Sequence, residues 1–305
     1  MIPMGDPVAR SRWRILAKAL SRGNSLEDPA EDELDSSTSV RRFSSYGLIA
    51  TIPLVNLREP QATWFEYHTN ISQDNFSVLV RHPKHSFTAA DLMGFNNTGN
   101  VCVWPSEETL AFFCLSNREL FSGKAVIEIG GGMSCLAGLM VAKYTSAARV
   151  VLTDGNQIAM ENVGRIVEKN GLKGLTHVTS EVLQWGKQSK LGRFDVILCA
   201  DCLFFDEDRC DLVQTIDDLL AEEGVALMAA PQRGDTLGKF FEEANAAGLV
   251  CVLHKEYNQQ VWQSHIHMQA TEGSIYDEDI HYPLLLTVTK AGTPNDIHRI
   301  VAAGC

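Results

Sequence analysis

The chain lacks three features that would each assign it to a class. No stretch reaches the roughly 18 consecutive apolar residues that a membrane-spanning helix needs, so we expect no membrane partner. There is no basic excess either, because 26 Lys and Arg residues stand against 38 Asp and Glu and give a formal net charge of −12. A nucleic-acid partner is therefore not expected, since binding a polyanion requires a basic face.

The third absence is a disulfide framework. Eight cysteines are scattered along the chain and no secretory signal is evident, which favours reduced thiols in a cytosolic or nuclear protein. Cys199 and Cys202 form one C-x-x-C pair, but a structural zinc site needs four ligands and no second pair exists. Alternation would place His265 and His267 on one face of a strand with no third ligand nearby, so we expect no metal site.

The charge pattern at the N-terminus is typical of a disordered tail. A basic amphipathic stretch around Trp13 is followed at once by acidic residues between Glu27 and Asp35. Such charge blocks contain too few apolar residues to offset the entropy cost of ordering the chain. A transit-type import segment is the alternative interpretation of the basic stretch. The predicted organisation is a tail over residues 1–45, a β appendage over 46–103, the main domain over 104–295 and a C-terminal tail over 296–305.

Three apolar runs separated by Pro, Gly and Asn predict the strands of the β appendage. Arg81 and Lys84 close the third run as a local basic cluster, a candidate surface for docking a protein. Beyond the appendage, Ser106 is expected to cap a helix whose apolar face holds Leu110 and Phe113.

From residue 124 onward, strands and helices alternate in a pattern that feeds a mostly parallel sheet. The polar stretch 255–281 is expected to hold no helix, so that the last strand can return antiparallel. The predicted strands cover residues 125–129, 149–153, 176–180, 194–200, 224–230, 249–254 and 282–289. The predicted helices cover residues 133–143, 156–170, 206–220 and 234–247.

A glycine run marks the end of the first strand of this domain. Gly130, Gly131 and Gly132 allow the backbone to approach a ligand at the start of a helix, and Asp154 ends the next strand. A carboxylate at that position can accept hydrogen bonds from both hydroxyls of a ribose. The spacing therefore predicts a nucleotide-type cofactor, although a glycine turn needed only for tight packing would explain the glycines without Asp154.

This loop could bind either of two cofactors, a dinucleotide or S-adenosylmethionine. The dinucleotide fingerprint G-x-G-x-x-G/A needs a small residue where Cys135 stands, and it has no use for Glu128 two residues before the first glycine. An E-x-G-x-G motif over Glu128, Gly130 and Gly132 resembles the first motif of the class I methyltransferases, with Ser134 in place of their usual third glycine. The resemblance implies S-adenosylmethionine, a cationic donor for which nearby acids are favourable.

This resemblance extends over roughly residues 100–290 and implies a seven-stranded, Rossmann-like α/β fold with the β appendage at its N-terminus. Ligands of open α/β sheets bind beyond the carboxyl ends of the strands, so the residues following each strand are candidates for the donor pocket. The expected donor-binding residues are Trp104, Glu128, Gly130, Gly131, Gly132, Asp154, Asn156, Leu183, Trp185 and Ala200.

Three stretches narrow the resemblance further. Residues 103–106, 182–186 and 200–204 resemble the methyltransferase-like group of non-histone protein lysine methyltransferases, whose D-x-x-Y motif appears here as Asp201-x-x-Phe204. The resemblance implies that Asp201 docks and orients the incoming ammonium and that Phe204 is an apolar wall without the tyrosine hydroxyl. With residues 276–283 included, the chain looks most like the branch of the group that acts on calmodulin, which makes calmodulin the expected protein substrate.

Two other functions remain compatible with these motifs. A small-molecule methyltransferase would share the donor pocket but enclose its acceptor in a cavity. A noncatalytic binding module would keep the fold without any need to bind the donor.

Overall fold

The computed structural model describes residues 45–84, 102–172, 177–204 and 206–293. Except for Ser45, both predicted tails lie outside these ranges. The described residues form one sheet of three strands and one of seven. None of the helices formed by these residues combines the length and the apolarity that crossing a membrane would require.

The three-stranded sheet is an antiparallel meander. Its strands are β1 (Ala50–Glu59), β2 (Ala62–Ile71) and β3 (Asp74–Pro83). The edge strand β1 contains Pro53, and an edge tolerates proline because its missing N–H is not needed by a neighbour. The predicted β appendage is confirmed.

The appendage is attached to the main domain mainly through β3. The side chain of Asn170 pairs with the backbone of Leu79, accepting from its N–H at 2.9 Å and donating to its carbonyl at 2.8 Å. The guanidinium of Arg81 is buried between the Glu59 carboxylate and the Asn162 side chain. Arg81 thus ties the appendage to the main domain, and its predicted role as a docking cation is wrong, whereas Lys84 is exposed.

The main domain alternates strands and helices as the sequence predicts. Its strands are β4 (Ala125–Glu128), β5 (Arg149–Asp154), β6 (Val178–Val182), β7 (Phe194–Ala200), β8 (Leu220–Ala230), β9 (Leu249–His254) and β10 (Leu284–Lys290). Its helices are α1 (Pro105–Ser116), α2 (Leu136–Tyr144), α3 (Gln157–Lys169), α4 (Arg209–Leu219), α5 (Thr236–Ala246), α6 (Gln259–Ala270) and the single turn α7 (Glu278–His281).

The order of the strands in the large sheet is β6-β5-β4-β7-β8-β10-β9. The pairs from β6 to β8 are parallel, and β10 runs antiparallel to both β8 and β9. The chain proceeds outward from β4 to β6 and then crosses to β7 on the other side of β4. The carboxyl ends of β4 and β7 therefore flank the switch point, where open α/β sheets bind ligands.

The middle residues of the two central strands, β4 and β7, are apolar and lie in the buried centre of the sheet. Val126 and Ile127 of β4 lie opposite Val196 and Ile197 of β7, and all four are almost completely buried. Continuous apolar runs of this kind are typical of parallel strands buried on both faces. The rigid centre of the sheet fixes the positions of the loops that follow β4 and β7.

The expectation of no helix between β9 and β10 is wrong. Helix α6 occupies part of that stretch, and the Asn258 side chain caps it by accepting from the N–H groups of Gln260 and Val261. On a helix, positions two apart face different directions. His265 is accordingly buried and His267 exposed, so the predicted shared face of these imidazoles is also wrong.

Helix α1 begins earlier than its predicted cap. Trp104 is the N-cap and Pro105 takes the first helical position, where a missing N–H costs nothing. Ser106 lies buried inside the first turn, so its predicted capping role is wrong. The early start puts Glu107 and Glu108 in the first turn of a helix that is buried on nearly every side.

Candidate active site at the tips of the parallel strands

The loop after β4 requires glycine for steric reasons. Gly130 and Gly132 have positive φ angles of 61° and 59°, a region that side-chain-bearing residues rarely adopt. A Cβ on Gly130 would lie 2.6 Å from the Sγ of Cys202 and 3.0 Å from the Cζ2 of Trp185. The loop is thus pressed against groups from the β6 and β7 tips, as the sequence analysis expects of a shared pocket.

Asp154 is hydrogen-bonded to this loop. Its Oδ2 accepts from the N–H of Gly132 at 2.9 Å, and its Oδ1 accepts from the N–H of Asn156 at 2.8 Å. The carboxylate is buried beside the glycine backbone. The structure brings these two predicted elements together, while the contact with a ribose stays a prediction.

Asn156 acts as a helix cap. Its side-chain oxygen accepts from the N–H groups of Ile158 and Ala159, at 2.9 and 3.0 Å, at the start of α3. Those bonds account for an asparagine at this position. A direct contact between Asn156 and the donor stays a prediction.

Glu128 lies beneath the loop and faces the start of α2. Its Oε2 accepts from the N–H of Gly138 at 2.7 Å, and its Oε1 has no hydrogen-bond partner among the described residues. Burial, reinforced by the charge of Glu107, raises the pKa of this carboxyl well above its usual range. A buried carboxylate oxygen left without a donor is costly, and a cationic ligand nearby would reduce that cost.

Glu107 is a residue of the site that the sequence analysis missed. Its Oε1 accepts from the hydroxyl of Ser134 at 2.5 Å and from the N–H of Leu136 at 2.9 Å. Burial raises its pKa to about 7 in spite of these hydrogen bonds. Ser134 stands where the family motif has glycine, and a buried hydroxyl needs a partner, so the serine was the signal that a polar group lies opposite.

Trp104 is placed near the loop by this same arrangement. Its carbonyl accepts from the N–H groups of Glu107 and Glu108, both at 3.0 Å, and its side chain is partly buried. Glu107 therefore connects the cap of α1 to the glycine loop. The predicted contact between Trp104 and the donor is not tested by these bonds.

The loop after β6 supplies an apolar side of the crevice. Leu183 is buried, and its N–H donates to the carbonyl of Asp154 at 3.0 Å. Trp185 is buried with its ring edge toward Gly130, so this predicted donor-binding residue lies beside the glycine loop. Leu183 and Trp185 therefore lie on the same side of the crevice as Asp154 and the glycine loop, and their contacts with a donor stay predictions.

The tip of β7 departs from the expectation in one respect. After Ala200, Asp201 takes a positive φ of 55° and its N–H donates to the carbonyl of Ala229 at 2.8 Å. Its carboxylate is buried, and both oxygens accept from the guanidinium of Arg233. Asp201 is not an exposed acid at the rim, because a cation of the chain already occupies it.

Phe204 stands next to this ion pair. Its ring centroid lies 5.7 Å from the guanidinium carbon of Arg233, within the range of a cation–π contact. The ring is partly buried, which suits the predicted apolar wall. The next residue, Phe205, lies outside the described residues.

The described residues contain no group of three or more His, Cys, Asp or Glu side chains that could hold a metal ion. Cys199 and Cys202 are free cysteines. His265 packs on the ring of Tyr282, with centroids 4.0 Å apart, and bonds through Nδ1 to the hydroxyl of Tyr276 at 2.8 Å.

Comparison with known proteins agrees with this geometry. A family model described as lysine methyltransferase matches residues 89–247. The chain is 34% identical to the calmodulin-lysine N-methyltransferase of Arabidopsis thaliana over 95% of its own length and 99% of that protein. It is 30% identical to the electron transfer flavoprotein beta subunit lysine methyltransferase of Rattus norvegicus, over 44% of this chain and 50% of that one.

Among solved structures, an S-adenosylmethionine-dependent methyltransferase from Streptococcus mutans aligns with 77% of this chain and 57% of its own, at 14% identity and a TM-score of 0.49. That likeness is too low to support an argument about the site. The family model and the near full-length relative confirm the resemblance seen in the sequence. The chain belongs to the lysine methyltransferase family.

Proposed function

We propose that this enzyme transfers methyl groups from S-adenosylmethionine to a lysine ε-amine of calmodulin. One observation carries the choice of substrate: the similarity to a calmodulin-lysine N-methyltransferase extends over 95% of this chain and 99% of the relative. The shared length includes the appendage, and a surface that recognises a particular protein is expected outside the common donor pocket.

The residues at the strand tips fit a cationic donor. Glu128 has a buried oxygen without a partner among the described residues, and Asp154 lies on the glycine loop. Gly130 and Gly132 turn the loop backbone through positive φ angles toward the expected donor pocket, and Trp185, beside Gly130, would border the adenine ring. S-adenosylmethionine, when bound, supplies a methyl group on a positively charged sulfur.

The acceptor side must present a neutral amine to that methyl group. A free lysine has a pKa near 10.4, so neutrality at physiological pH costs roughly 4–5 kcal/mol at about 1.4 kcal/mol per pH unit. The partly buried rings of Phe204 and Trp104 would exclude water and favour the neutral amine. Positioning of the amine then provides most of the remaining rate acceleration.

A binding surface for calmodulin must be local rather than electrostatic overall. The enzyme carries a formal net charge of −12 and calmodulin is itself acidic, so the two proteins repel at long range. Arg81 is excluded as a docking cation by its buried ion pair, whereas Lys84 at the same end of β3 is exposed. We infer that Lys84 is part of the docking surface.

The direct test is a transfer assay with calmodulin and S-adenosylmethionine labelled in its methyl group. We expect the label on a lysine side chain, located by mass spectrometry. The inactive control is Gly132→Arg, which places a long side chain in the donor loop at a positive φ. The matched control is Gly171→Arg, since Gly171 also has a positive φ but open space around it.

Incorporation no higher than that of Gly132→Arg, by enzyme that still binds S-adenosylhomocysteine, would reject calmodulin as the substrate. Methylation of a metabolite without added protein would instead support the small-molecule alternative. A cytosolic or nuclear location also stays a prediction, to be tested by imaging the tagged full-length chain.

A further inference from the structure

The ion pair at the β7 tip has the geometry of a fixed structural element. The Nη1 of Arg233 lies 2.6 Å from Oδ1 of Asp201, and its Nη2 lies 2.8 Å from Oδ2. Asp201 is only 7% exposed and the side chain of Arg233 only 17%. Two parallel hydrogen bonds between a planar guanidinium and a carboxylate combine charge with orientation, so both oxygens of Asp201 are committed.

The backbone holds Arg233 in this position. Arg233 has a positive φ of 46°, and its N–H donates to the carbonyl of Asp279 at 2.7 Å. The next N–H, of Gly234, donates to the Asp279 carboxylate at 2.9 Å. The turn between β8 and α5 is thus held by α7, which fixes the backbone position from which the Arg233 side chain extends.

Tyr46, in the segment before β1, also contacts the residues around α7. The hydroxyl of Tyr46 donates to the carbonyl of His281 at 2.9 Å and lies 2.8 Å from the hydroxyl of Tyr276. Tyr276 and His281 flank Asp279 in sequence. The turn that carries Arg233 is therefore supported by elements far apart in the chain.

The charges around Phe204 follow from this arrangement. Asp201 is neutralised by Arg233, and the guanidinium also faces the Phe204 ring. Cys202 follows Asp201 on the β7 tip, while Asp279 and His281 face the turn from α7. Burial lowers the pKa of His281, the positive charge of Arg233 lowers it by a smaller amount, and Asp277 acts in the opposite direction.

We propose that Arg233 is a positioning residue of the acceptor site, which fixes Asp201 and cancels the carboxylate charge beside Phe204, so that this charge does not hold an incoming lysine amine in its protonated form. This inference rests on the proposed lysine methyl transfer. It assigns Asp201 the task of holding Arg233 rather than of capturing the ammonium. An unpaired carboxylate close to an amine favours its protonation, so the same lysine reacts at lower pH while Arg233 pairs with Asp201.

The test is the pH dependence of kcat for the full-length enzyme acting on calmodulin, because kcat reports groups that titrate in the enzyme–substrate complex. In Arg233→Gln the carboxylate of Asp201 loses its countercharge, and we expect the rising limb of the profile to move up by about one pH unit, a roughly tenfold loss at pH 7.5 that recovers at high pH. Arg233→Lys keeps the charge and should keep the position of the limb while losing activity at every pH.

The double variant Asp201→Asn with Arg233→Gln removes both charges and should bring the limb back toward its original position. The matched control is Arg165→Gln, an exposed arginine on α3, which should leave the profile unchanged. Binding of S-adenosylhomocysteine, measured by calorimetry, should stay within about twofold of the wild type in every variant and shows that each is folded.

A profile for Arg233→Gln that is scaled down without moving along the pH axis would overturn the proposal, since Arg233 would then be structural only. A double variant that shifts as far as the single one would also overturn it. Failure of the proposed function is a separate result, because the wild-type enzyme would then label no lysine at any pH while still binding the donor product.

Discussion

Replacing Glu107 by Gln tests whether the buried acid under the glycine loop titrates as its surroundings require. The carboxyl is buried, and its pKa is raised by that burial from an ordinary 4.5 to about 7. Glutamine keeps the shape and can still accept from Ser134 and Leu136 but cannot titrate. The substitution therefore isolates the proton from the packing.

The direction in which pH changes the stability follows from the direction of the pKa change. A carboxyl whose pKa rises on folding binds its proton more tightly in the folded state. Its contribution to the free energy of unfolding is therefore complete below pH 4.5 and is lost as the pH rises through 7. The difference between the two pKa values, at about 1.4 kcal/mol per pH unit, corresponds to roughly 3 kcal/mol in the free energy of unfolding. About 2.5 kcal/mol of this falls between pH 5 and pH 8.

The assay is urea denaturation of donor-free wild type and Glu107→Gln at a series of pH values between 5 and 8. We expect the variant to gain stability relative to the wild type across this range by about 2.5 kcal/mol. Glu119→Gln, at an exposed position following α1, should track the wild type throughout. Parallel curves for wild type and Glu107→Gln would refute the reasoning, because Glu107 would then keep the same charge over the whole range.

Three further substitutions test the donor loop. Gly130→Ala should lower the free energy of unfolding by about 2–4 kcal/mol, because the residue has a positive φ and its new methyl group would lie 2.6 Å from the Sγ of Cys202. A variant as stable in urea as the wild type would show that the loop is not packed this tightly. Asp154→Ala should weaken binding of S-adenosylhomocysteine at least tenfold by calorimetry, since it removes the acceptor that holds Gly132; an unchanged Kd would remove Asp154 from the donor site. Asn156→Ala should cost about 1 kcal/mol of stability through loss of the α3 cap. Its affinity for the donor product should change less than twofold if capping is its only role, and a larger loss would support the predicted contact with the donor.

Periodicity and glycine placement were enough to predict the main architecture. The strands β7 and β9 begin and end at the predicted residues, because continuous apolar runs bounded by polar residues leave little choice. The seven-stranded order with an antiparallel β10 follows from the βα alternation and from the family resemblance. The glycine loop and Asp154 lie together because both follow adjacent parallel strands.

Helix α6 was missed because only a narrow side of it is buried. Val261 and His265, four residues apart, are its buried residues, and the rest of the helix is polar enough to resemble a loop. The Asn258 cap was the available signal.

Glu107 and Arg233 escaped prediction because each depends on a partner distant in sequence. Glu107 bonds to Ser134, and Arg233 bonds to Asp201 across an intervening strand. A single sequence shows the residue types but not which buried polar groups meet, since that pairing is decided by tertiary packing.

A structure of the enzyme with S-adenosylhomocysteine bound would locate the donor pocket. We expect the ribose hydroxyls at the Asp154 carboxylate, the adenine beside Trp185, and the sulfur between the glycine loop and Phe204. A ligand bound elsewhere, or a crevice between the β4 and β7 tips that stays closed to the ligand at saturating concentration, would show that these strand tips do not form the donor pocket.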